Sequence, residues 1–136
     1  MGLDQYCWAK SSKRKATEIT GACGGLFPCA LTTGDRTELG YWRKAYNVHN
    51  LMYRVLRGYK EIREVEGPFA DINCREIPMM PDEIDKILKT AKKKAERARK
   101  DSWEWQDWAT TVQVMQEAKK LLQEDPEAKI YYYIWY

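Results

Sequence analysis

Both ends of this 136-residue chain carry the pattern of a β-strand, and this constrains the fold more than any other feature. Residues 2–10 alternate between two faces, with Leu3, Gln5, Cys7 and Ala9 on one and Asp4, Tyr6, Trp8 and Lys10 on the other. An alternation of period two over this length is typical of a strand. Residues 130–136 are all β-branched or aromatic, which also favours a strand. We expect the two terminal strands to pair in one small sheet.

Two helices are predicted in the middle of the chain. The first runs from about Arg43 to Arg57, and its apolar positions have the spacing of one buried helix face: Val48, Leu51, Met52, Val55 and Leu56. Gly58 is placed to end it. The second begins at Pro81, since proline suits the first turn of a helix. Its apolar stripe consists of Ile84, Ile87, Leu88, Ala91, Ala95 and Ala98.

A third helix is predicted to open at Asp101 or Ser102, with Glu104 placed to form a capping box with Asp101. Its inner face is predicted to contain Trp108, Val112, Met115, Ala118 and Leu122. The pair Asp125-Pro126 is expected to end this helix.

The remaining segments are predicted to be one short strand and two loops. The strand covers residues 37–41, a glycine-rich loop covers residues 20–37, and a long loop covers residues 59–80. We therefore expect residues 1–136 to form a single α+β domain. In it, a small antiparallel sheet includes the N- and C-terminal strands, and three α-helices pack on one of its faces.

Charge and cysteine content limit the function classes. The chain has 23 Lys and Arg against 20 Asp and Glu, and a net charge of +3 argues against a dedicated duplex-DNA binder. The 4 cysteines form no C-x-x-C pair and His49 is the only histidine, so we expect no metal site and no cofactor. The chain opens without the apolar segment of a signal peptide and has no bilayer-length apolar run. A cytoplasmic protein with reduced cysteines and no membrane contact is therefore expected.

The best candidate for a binding site lies at the start of the first helix. The predicted ligand-binding residues are Tyr41, Trp42, Arg43, Lys44, Tyr46 and His49, with Tyr133 and Trp135 of the last strand at the border. If the helix begins near Trp42, one stripe contains Trp42, Tyr46, His49 and Tyr53. Arg43 can bind a phosphate or carboxylate in a bidentate manner, and Lys44 as a point charge. Aromatic rings beside a guanidinium also suit a stacked base.

This segment has a second interpretation, in which it is a core edge whose hydroxyls and imidazole are hydrogen-bonded by neighbours. As the only histidine, His49 has the chemistry of a general acid or base. No Ser, Asp or Cys partner lies at a spacing that secures a triad, so a structural histidine is the favoured interpretation.

Other clusters also have two interpretations. The run from Lys86 to Lys100 holds eight basic residues and one acid, and it would suit a nucleic acid or an acidic protein. A solvated helix face is favoured instead. Trp108 is expected in the core, whereas Trp103 and Trp105 would border a pocket or an oligomer interface.

The last strand offers one further surface. Its two faces are both aromatic, and one of them needs a cover once the helices pack on the other. An uncovered aromatic face would be an association surface, so homodimerisation through it is an additional expectation.

No sequence motif indicates catalysis. The chain has no P-loop, no G-x-G-x-x-G, no H-E-x-x-H and no nucleophile elbow. The glycine-rich stretch from Gly21 to Gly25 lacks the lysine of a phosphate-binding loop. A binding protein is therefore favoured over an enzyme.

Two stretches of the chain resemble a family of small proteins of tailed bacteriophages. They are Met1-Gly2-Leu3-Asp4-Gln5-Tyr6 and Glu38-Leu39-Gly40-Tyr41-Trp42-Arg43-Lys44, and the second is followed by His49 five residues later. The aromatic last strand is similar as well, and the likeness covers about half the chain. Gln5 stands where the family usually has methionine, and Asn50 where an aromatic residue is common. The resemblance implies a phage setting and no catalytic role. By analogy, small accessory phage proteins serve host takeover or counter host defence by binding.

Three functions follow from these observations. The preferred one is a phage accessory protein that sequesters an anionic, nucleotide-like ligand, such as an immune signal, in the host cytoplasm. The alternative is an inhibitor that binds a host defence protein. The third is a small phosphodiester hydrolase that uses His49.

Overall fold

The computed structural model of the chain describes residues 2–13, 36–56 and 74–136. The elements in these ranges are β1 (Asp4–Lys10), β2 (Thr37–Arg43), α1 (Tyr46–Leu56), β3 (Ile77–Pro78), α2 (Pro81–Arg97), α3 (Trp103–Glu124) and β4 (Lys129–Trp135). The predicted helix stop at Gly58, the glycine-rich loop up to residue 35, and residues 59–73 of the long loop lie outside the described ranges.

The strands form an antiparallel sheet in the order β2-β1-β4-β3. The terminal strands pair at its centre, from Asp4 opposite Trp135 to Lys10 opposite Lys129, which confirms the predicted pairing. Strand β3 was not predicted, because two residues are too few to show an alternation. Its Pro78 is tolerated because β3 is the last strand in the order of the described sheet.

The three described helices pack on one face of this sheet, as predicted. The inner side chains of β1 and β4 are those of the predicted alternation, among them Cys7, Ala9, Ile130, Tyr132 and Ile134. They share one core with apolar residues of all three helices, including Val48, Met52, Ile84, Ile87, Met115 and Ala118. The fold is therefore α+β, and the helices cover one layer of sheet.

Helix α3 approaches strand β2 unusually closely at Gly40. A Cβ atom on Gly40 would lie 2.1 Å from Cγ2 of Val114, closer than side-chain atoms tolerate. Beside this point the register between β1 and β2 shifts, so that Cys7 pairs with Gly40 and Trp8 with Glu38. The bulge leaves Leu39 without a partner in the ladder. Glycine at position 40 thus sets the distance between the sheet and α3.

The predicted start of the first helix is wrong, whereas the predicted opening of the third helix at Asp101 or Ser102 is confirmed. Arg43 still pairs with Asp4 in the sheet, so α1 begins only at Tyr46. At α3 the N-cap is Ser102, whose Oγ accepts a hydrogen bond of 3.1 Å from the Trp105 N–H. The Asp101–Glu104 capping box does not form, because Asp101 has a left-handed backbone with φ 68°. The predicted start at Pro81 and the end before Asp125 are both confirmed.

The outer face of the sheet carries a second, aromatic cluster. Tyr6, Trp8 and Tyr133 are buried there, and Tyr41, Tyr131 and Trp135 pack around them. The ring centres of Trp8 and Tyr133 lie 4.7 Å apart. Because its centre is buried, this face is not the uncovered aromatic surface on which the expected homodimer would depend.

Cations and one carboxylate lie against this aromatic cluster. The Arg36 guanidinium lies 5.3 Å from the ring centre of Trp8, and the Lys10 ammonium 5.2 Å from that of Tyr131. Glu76 pairs with both cations, at 3.2 Å from the Lys10 Nζ and at 2.6 Å from the Arg36 Nε. These contacts tie the ends of β1 and β2 to the residues before β3.

Candidate functional site

The segment that holds most of the predicted site crosses from strand β2 into helix α1. Trp42 is buried on the inner face of β2, and Arg43 is exposed at the end of this strand. Lys44 makes the turn with φ 56°, and its N–H donates a 2.7 Å hydrogen bond to the carbonyl of Leu3. The predicted stripe of Trp42, Tyr46, His49 and Tyr53 on one helix is therefore wrong, because Trp42 belongs to a strand.

An open cavity of about 550 Å³ lies between the end of β2 and the N-terminal half of α3. We call it the edge cavity, and its lining consists of Tyr41, Trp42, Arg43, Lys44, Trp103, Gln106, Asp107 and Thr110. The contiguous tetrapeptide that the sequence singled out thus surrounds one hollow, and α3 supplies the opposite wall.

Hydrogen bonds fix the inner wall of the edge cavity. The indole N–H of Trp42 donates to Oγ1 of Thr111 at 3.0 Å, and this hydroxyl donates to the carbonyl of Asp107 at 2.8 Å. Because its only donor is already used, Trp42 offers a ligand its ring and not a hydrogen bond. The bond from Trp42 to Thr111 joins β2 to α3 and so holds the two walls at a fixed spacing.

Within the described part of the chain, the charged groups of the edge cavity form no ion pairs. Among the residues that the structure describes, neither Arg43, Lys44 nor Asp107 forms a salt bridge. Partial burial raises the pKa of Asp107 above its ordinary value, because a charged carboxylate is poorly solvated there. Two cations without a salt bridge to any described residue, against one carboxylate, give the cavity a preference for anions.

Tyr41 is committed to a neighbour. Its hydroxyl donates a 2.5 Å hydrogen bond to Oδ1 of Asp4. Burial raises its pKa to about 12, and the bond to Asp4 and the charge of this carboxylate act in the same direction. Tyr41 therefore stays a neutral phenol at physiological pH and contributes ring surface to the cavity wall.

Helix α3 contributes residues that sequence reasoning did not assign to the site. Trp103, which was expected to border a pocket or an oligomer interface, is 84% exposed at the first position of this helix and lines the edge cavity. Gln106, Asp107 and Thr110 follow it at helical spacing and line the same cavity. These four residues have the i, i+3, i+4, i+7 spacing of one helix face, and this spacing is visible in the sequence. The sequence does not show that this face lies opposite β2, because that depends on the tertiary fold.

His49 lies elsewhere, in the core. It is 0% exposed, and its Nδ1 lies 2.8 Å from the Tyr132 hydroxyl. That hydroxyl accepts a 3.1 Å bond from Nε2 of Gln5, and Oε1 of Gln5 accepts a 2.9 Å bond from the N–H of Ala45. We call Gln5, Tyr132 and His49 the buried polar chain.

Burial raises the pKa of Tyr132, so its phenol keeps its proton. The Tyr132 hydroxyl and Nδ1 of His49 share one hydrogen bond inside the core. The interpretation of His49 as a structural histidine is confirmed, and the imidazole does not line the edge cavity.

The remaining predicted residues are also separated from the edge cavity. Tyr46 is exposed on α1 but does not line the hollow. Tyr133 is buried and Trp135 half-buried on the outer face of β4, and β1 lies between β4 and β2. The predicted site therefore divides into the edge cavity, the buried polar chain and the outer aromatic cluster.

Comparisons with known proteins add no relative. No protein-family model, curated protein or solved structure matches the chain. The resemblance to tailed-phage proteins thus stays a prediction.

The described residues also bear on metals, thiols and membranes. No group of three or more His, Cys, Asp and Glu side chains in them is placed to hold a metal ion. Cys7 is buried and Cys74 is exposed, whereas Cys23 and Cys29 lie outside the described ranges. Within the described ranges, no helix has the length and apolar character needed to cross a bilayer.

Proposed function

We propose that this chain is a binding protein that takes a small anionic ligand with a planar ring, of the nucleotide type, in the edge cavity. The observation that carries the proposal is the position of Arg43 and Lys44. Both are exposed and unpaired among the described residues, and both line the hollow that Trp42 and Trp103 border. Unpaired cations beside aromatic rings are the combination that binds a phosphate and a base together.

Each wall of the cavity has a separate task in this proposal. Arg43 offers a planar fork of donors to phosphate oxygens, and Lys44 a point charge. Trp103 is the exposed ring against which a base stacks. Gln106 and Asp107 present an amide and a carboxyl to the polar edge of that base. The carboxyl of Asp107 favours bases that carry N–H donors, because a base edge made only of acceptors would form no hydrogen bond with the carboxylate oxygens.

The biological setting of the proposal rests on the sequence resemblance alone. The stretches that resemble tailed-phage proteins include Tyr41 to Lys44, the strand side of the edge cavity. In this setting the protein acts during host takeover or against host defence, and it sequesters a nucleotide signal without transforming it. His49 takes no part, since its ring is sealed in the core.

Calorimetric titration tests the ligand class directly. The panel contains guanosine and adenosine monophosphates, their cyclic forms, uncharged guanosine, and inorganic phosphate. At least one nucleotide should bind, and guanosine and phosphate should each bind more weakly because each satisfies only half of the cavity. Absence of binding by every nucleotide contradicts the proposal.

Variants locate the binding. Trp103→Ala should lower affinity by about fivefold to a hundredfold, since base stacking is worth about 1–3 kcal/mol. Arg43→Gln should lower it by about tenfold or more, because a charge-assisted hydrogen bond contributes about 1.5–3 kcal/mol. Arg97→Gln removes the same charge from an exposed position of α2, outside the edge cavity, and should bind like the parent chain. Equal affinities of the Arg43 and Arg97 variants would show that the ligand lies elsewhere.

A second candidate function is binding to a host protein, and the exposure of Trp103 favours it. An indole that is 84% exposed is unusual for a solvated helix end and is frequent at protein interfaces. In this case the parent chain retains one defined partner from host lysate, Trp103→Ala loses it, and no nucleotide changes the melting temperature.

A further inference from the structure

A second cavity lies on the other side of the N-terminal half of α3. It has a volume of about 350 Å³, and its lining consists of Asn47, Asn50, Arg54, Lys94, Glu104 and Trp108. We call it the helix cavity, because α1, α2 and α3 all contribute to it and the sheet does not. It shares no lining residue with the edge cavity.

The helix cavity follows from the way the three helices meet. Asn47, Asn50 and Arg54 lie at i, i+3 and i+7 on α1, and all three are exposed because Val48 and Leu51 turn the opposite side into the core. Lys94 lies in the last turn of α2 and Glu104 in the first turn of α3. Polar groups from three separate helices therefore converge on one hollow.

The polar side chains of this lining are unengaged. Among the described residues, Arg54, Lys94 and Glu104 form no salt bridge, and the amides of Asn47 and Asn50 take part in no hydrogen bond. Trp108 is 3% exposed, and its indole N–H has no partner in the described part of the chain. An unpaired buried donor lowers the stability of the fold, and a ligand acceptor that reached it would offset this cost.

The donors and acceptors of the lining define the ligand. Arg54 and Lys94 outnumber Glu104, so the cavity favours a negative group on the ligand. The carboxylate of Glu104 and the side-chain carbonyls of Asn47 and Asn50 are hydrogen-bond acceptors. A ligand whose only polar atoms are anionic oxygens would place further acceptors against them, with no donor between. Hydroxyl groups both donate and accept, so they can satisfy carboxylate and amides together.

We propose that the helix cavity binds a small anionic polyol, meaning a molecule with several hydroxyl groups and one phosphate or carboxylate. Arg54 and Lys94 hold the anionic group, while Asn47, Asn50 and Glu104 bind the hydroxyls. The apolar ring of Trp108 closes the hollow between them. This site is independent of the edge cavity, and it stands or falls separately from the proposed function.

Calorimetric titration of the full chain with four probes tests the ligand class. The probes are ribose phosphate, gluconate, ribose and inorganic phosphate. Ribose phosphate or gluconate should bind, and which of them binds identifies the source of the negative charge. Ribose and inorganic phosphate should each bind at least about tenfold more weakly, because each lacks one half of the required groups. If neither anionic polyol binds, or if phosphate alone binds as tightly as ribose phosphate, the proposal is overturned.

Matched variants test the location. Arg54→Gln and Lys94→Gln should each weaken binding of the anionic polyol by about tenfold or more. Lys89→Gln makes the same change on an exposed position of α2 that lines neither cavity. This control should bind like the parent chain. Undiminished binding in Arg54→Gln overturns the site, and its thermal unfolding profile confirms that the variant is folded.

Discussion

The edge cavity and the buried polar chain draw on one short segment of sequence, yet they have opposite properties. Arg43 and Lys44 are exposed, unpaired among the described residues and open to a ligand. His49, five residues further on, is sealed and bonded to Tyr132. The two residue types separate around Lys44, where a left-handed backbone turns the chain from strand β2 into helix α1. Residue type alone therefore does not separate a binding residue from a structural one.

Each region also has a characteristic energetic role. Polar groups in the core must be paired, because an unpaired buried donor or acceptor costs about 1–3 kcal/mol. Polar groups at the edge cavity are hydrated when no ligand is present, so their loss leaves the fold intact. Substitutions in the buried polar chain should thus affect stability, and substitutions in the edge cavity should affect binding.

The largest stability effect is expected from Tyr132→Phe. It leaves Nε2 of Gln5 and Nδ1 of His49 without their shared partner, so the free energy of unfolding should fall by about 2–3 kcal/mol. Urea denaturation measures the change. Tyr131→Phe removes a hydroxyl from the other face of the same strand and should alter stability by less than about 0.5 kcal/mol. Equal effects of the two variants would remove the special role of the buried polar chain.

Gly40→Ala should have the next largest effect. The added methyl group overlaps Val114, so α3 must move away from β2 at a cost of about 1–3 kcal/mol. Since α3 forms one wall of the edge cavity, affinity for the edge ligand should fall as well. Gly2→Ala is the control, because its Cβ would meet only Cε of Lys44, at 3.4 Å. Parent-like stability of Gly40→Ala would contradict the close approach of β2 and α3.

A smaller effect concerns the pH dependence of stability. The folded chain raises the pKa of Tyr41 to about 12, above its ordinary 10.0, so the unfolded chain loses this proton first as pH rises. The stabilisation from Tyr41 is therefore complete below pH 10 and disappears as pH approaches 12. Urea denaturation across this window should show a shallower loss in Tyr41→Phe than in the parent chain. Burial also raises the pKa values of Tyr132 and Cys7, so part of the loss should remain in the variant. Identical slopes would refute the role of Tyr41.

The smallest stability effect is expected from Trp103→Ala. Its indole is exposed, so the free energy of unfolding should change by less than about 0.5 kcal/mol, while affinity for the edge ligand falls. Paired denaturation and titration experiments on one preparation separate the two quantities. A loss of stability comparable to that of Tyr132→Phe would show that the edge cavity is part of the core.

The outlines of the fold followed from local patterns. The alternation in the two terminal strands and the apolar spacing in the three helices can each be read from a short stretch of sequence. For this reason the pairing of the strands and the placement of the helices could be predicted. The two-residue strand β3 and the bulge opposite Trp8 could not, because neither has a periodic signal. Arg43 and Lys44 fit a strand end as well as a helix start, and only pairing with β1 decides between them.

The candidate site was predictable on its strand side, and on its helix side only at Trp103, which was expected to border a pocket or an oligomer interface. Tyr41 to Lys44 are contiguous, so their chemistry is visible in the sequence. Gln106, Asp107 and Thr110 are more than sixty positions away, and their share in the cavity depends on how α3 crosses β2. The placement of Tyr133 and Trp135 failed for a related reason, since the face and position of a strand in its sheet are tertiary properties.

The most direct test of the contrast is nuclear magnetic resonance with guanosine monophosphate titrated onto the full chain. The predicted result is movement of the backbone signals of Arg43 and Lys44 and of the indole signal of Trp103, with the ring signals of His49 unchanged. If the His49 and Tyr132 signals move while those of Arg43, Lys44 and Trp103 stay in place, the ligand enters the core and the assignment of the two regions is contradicted.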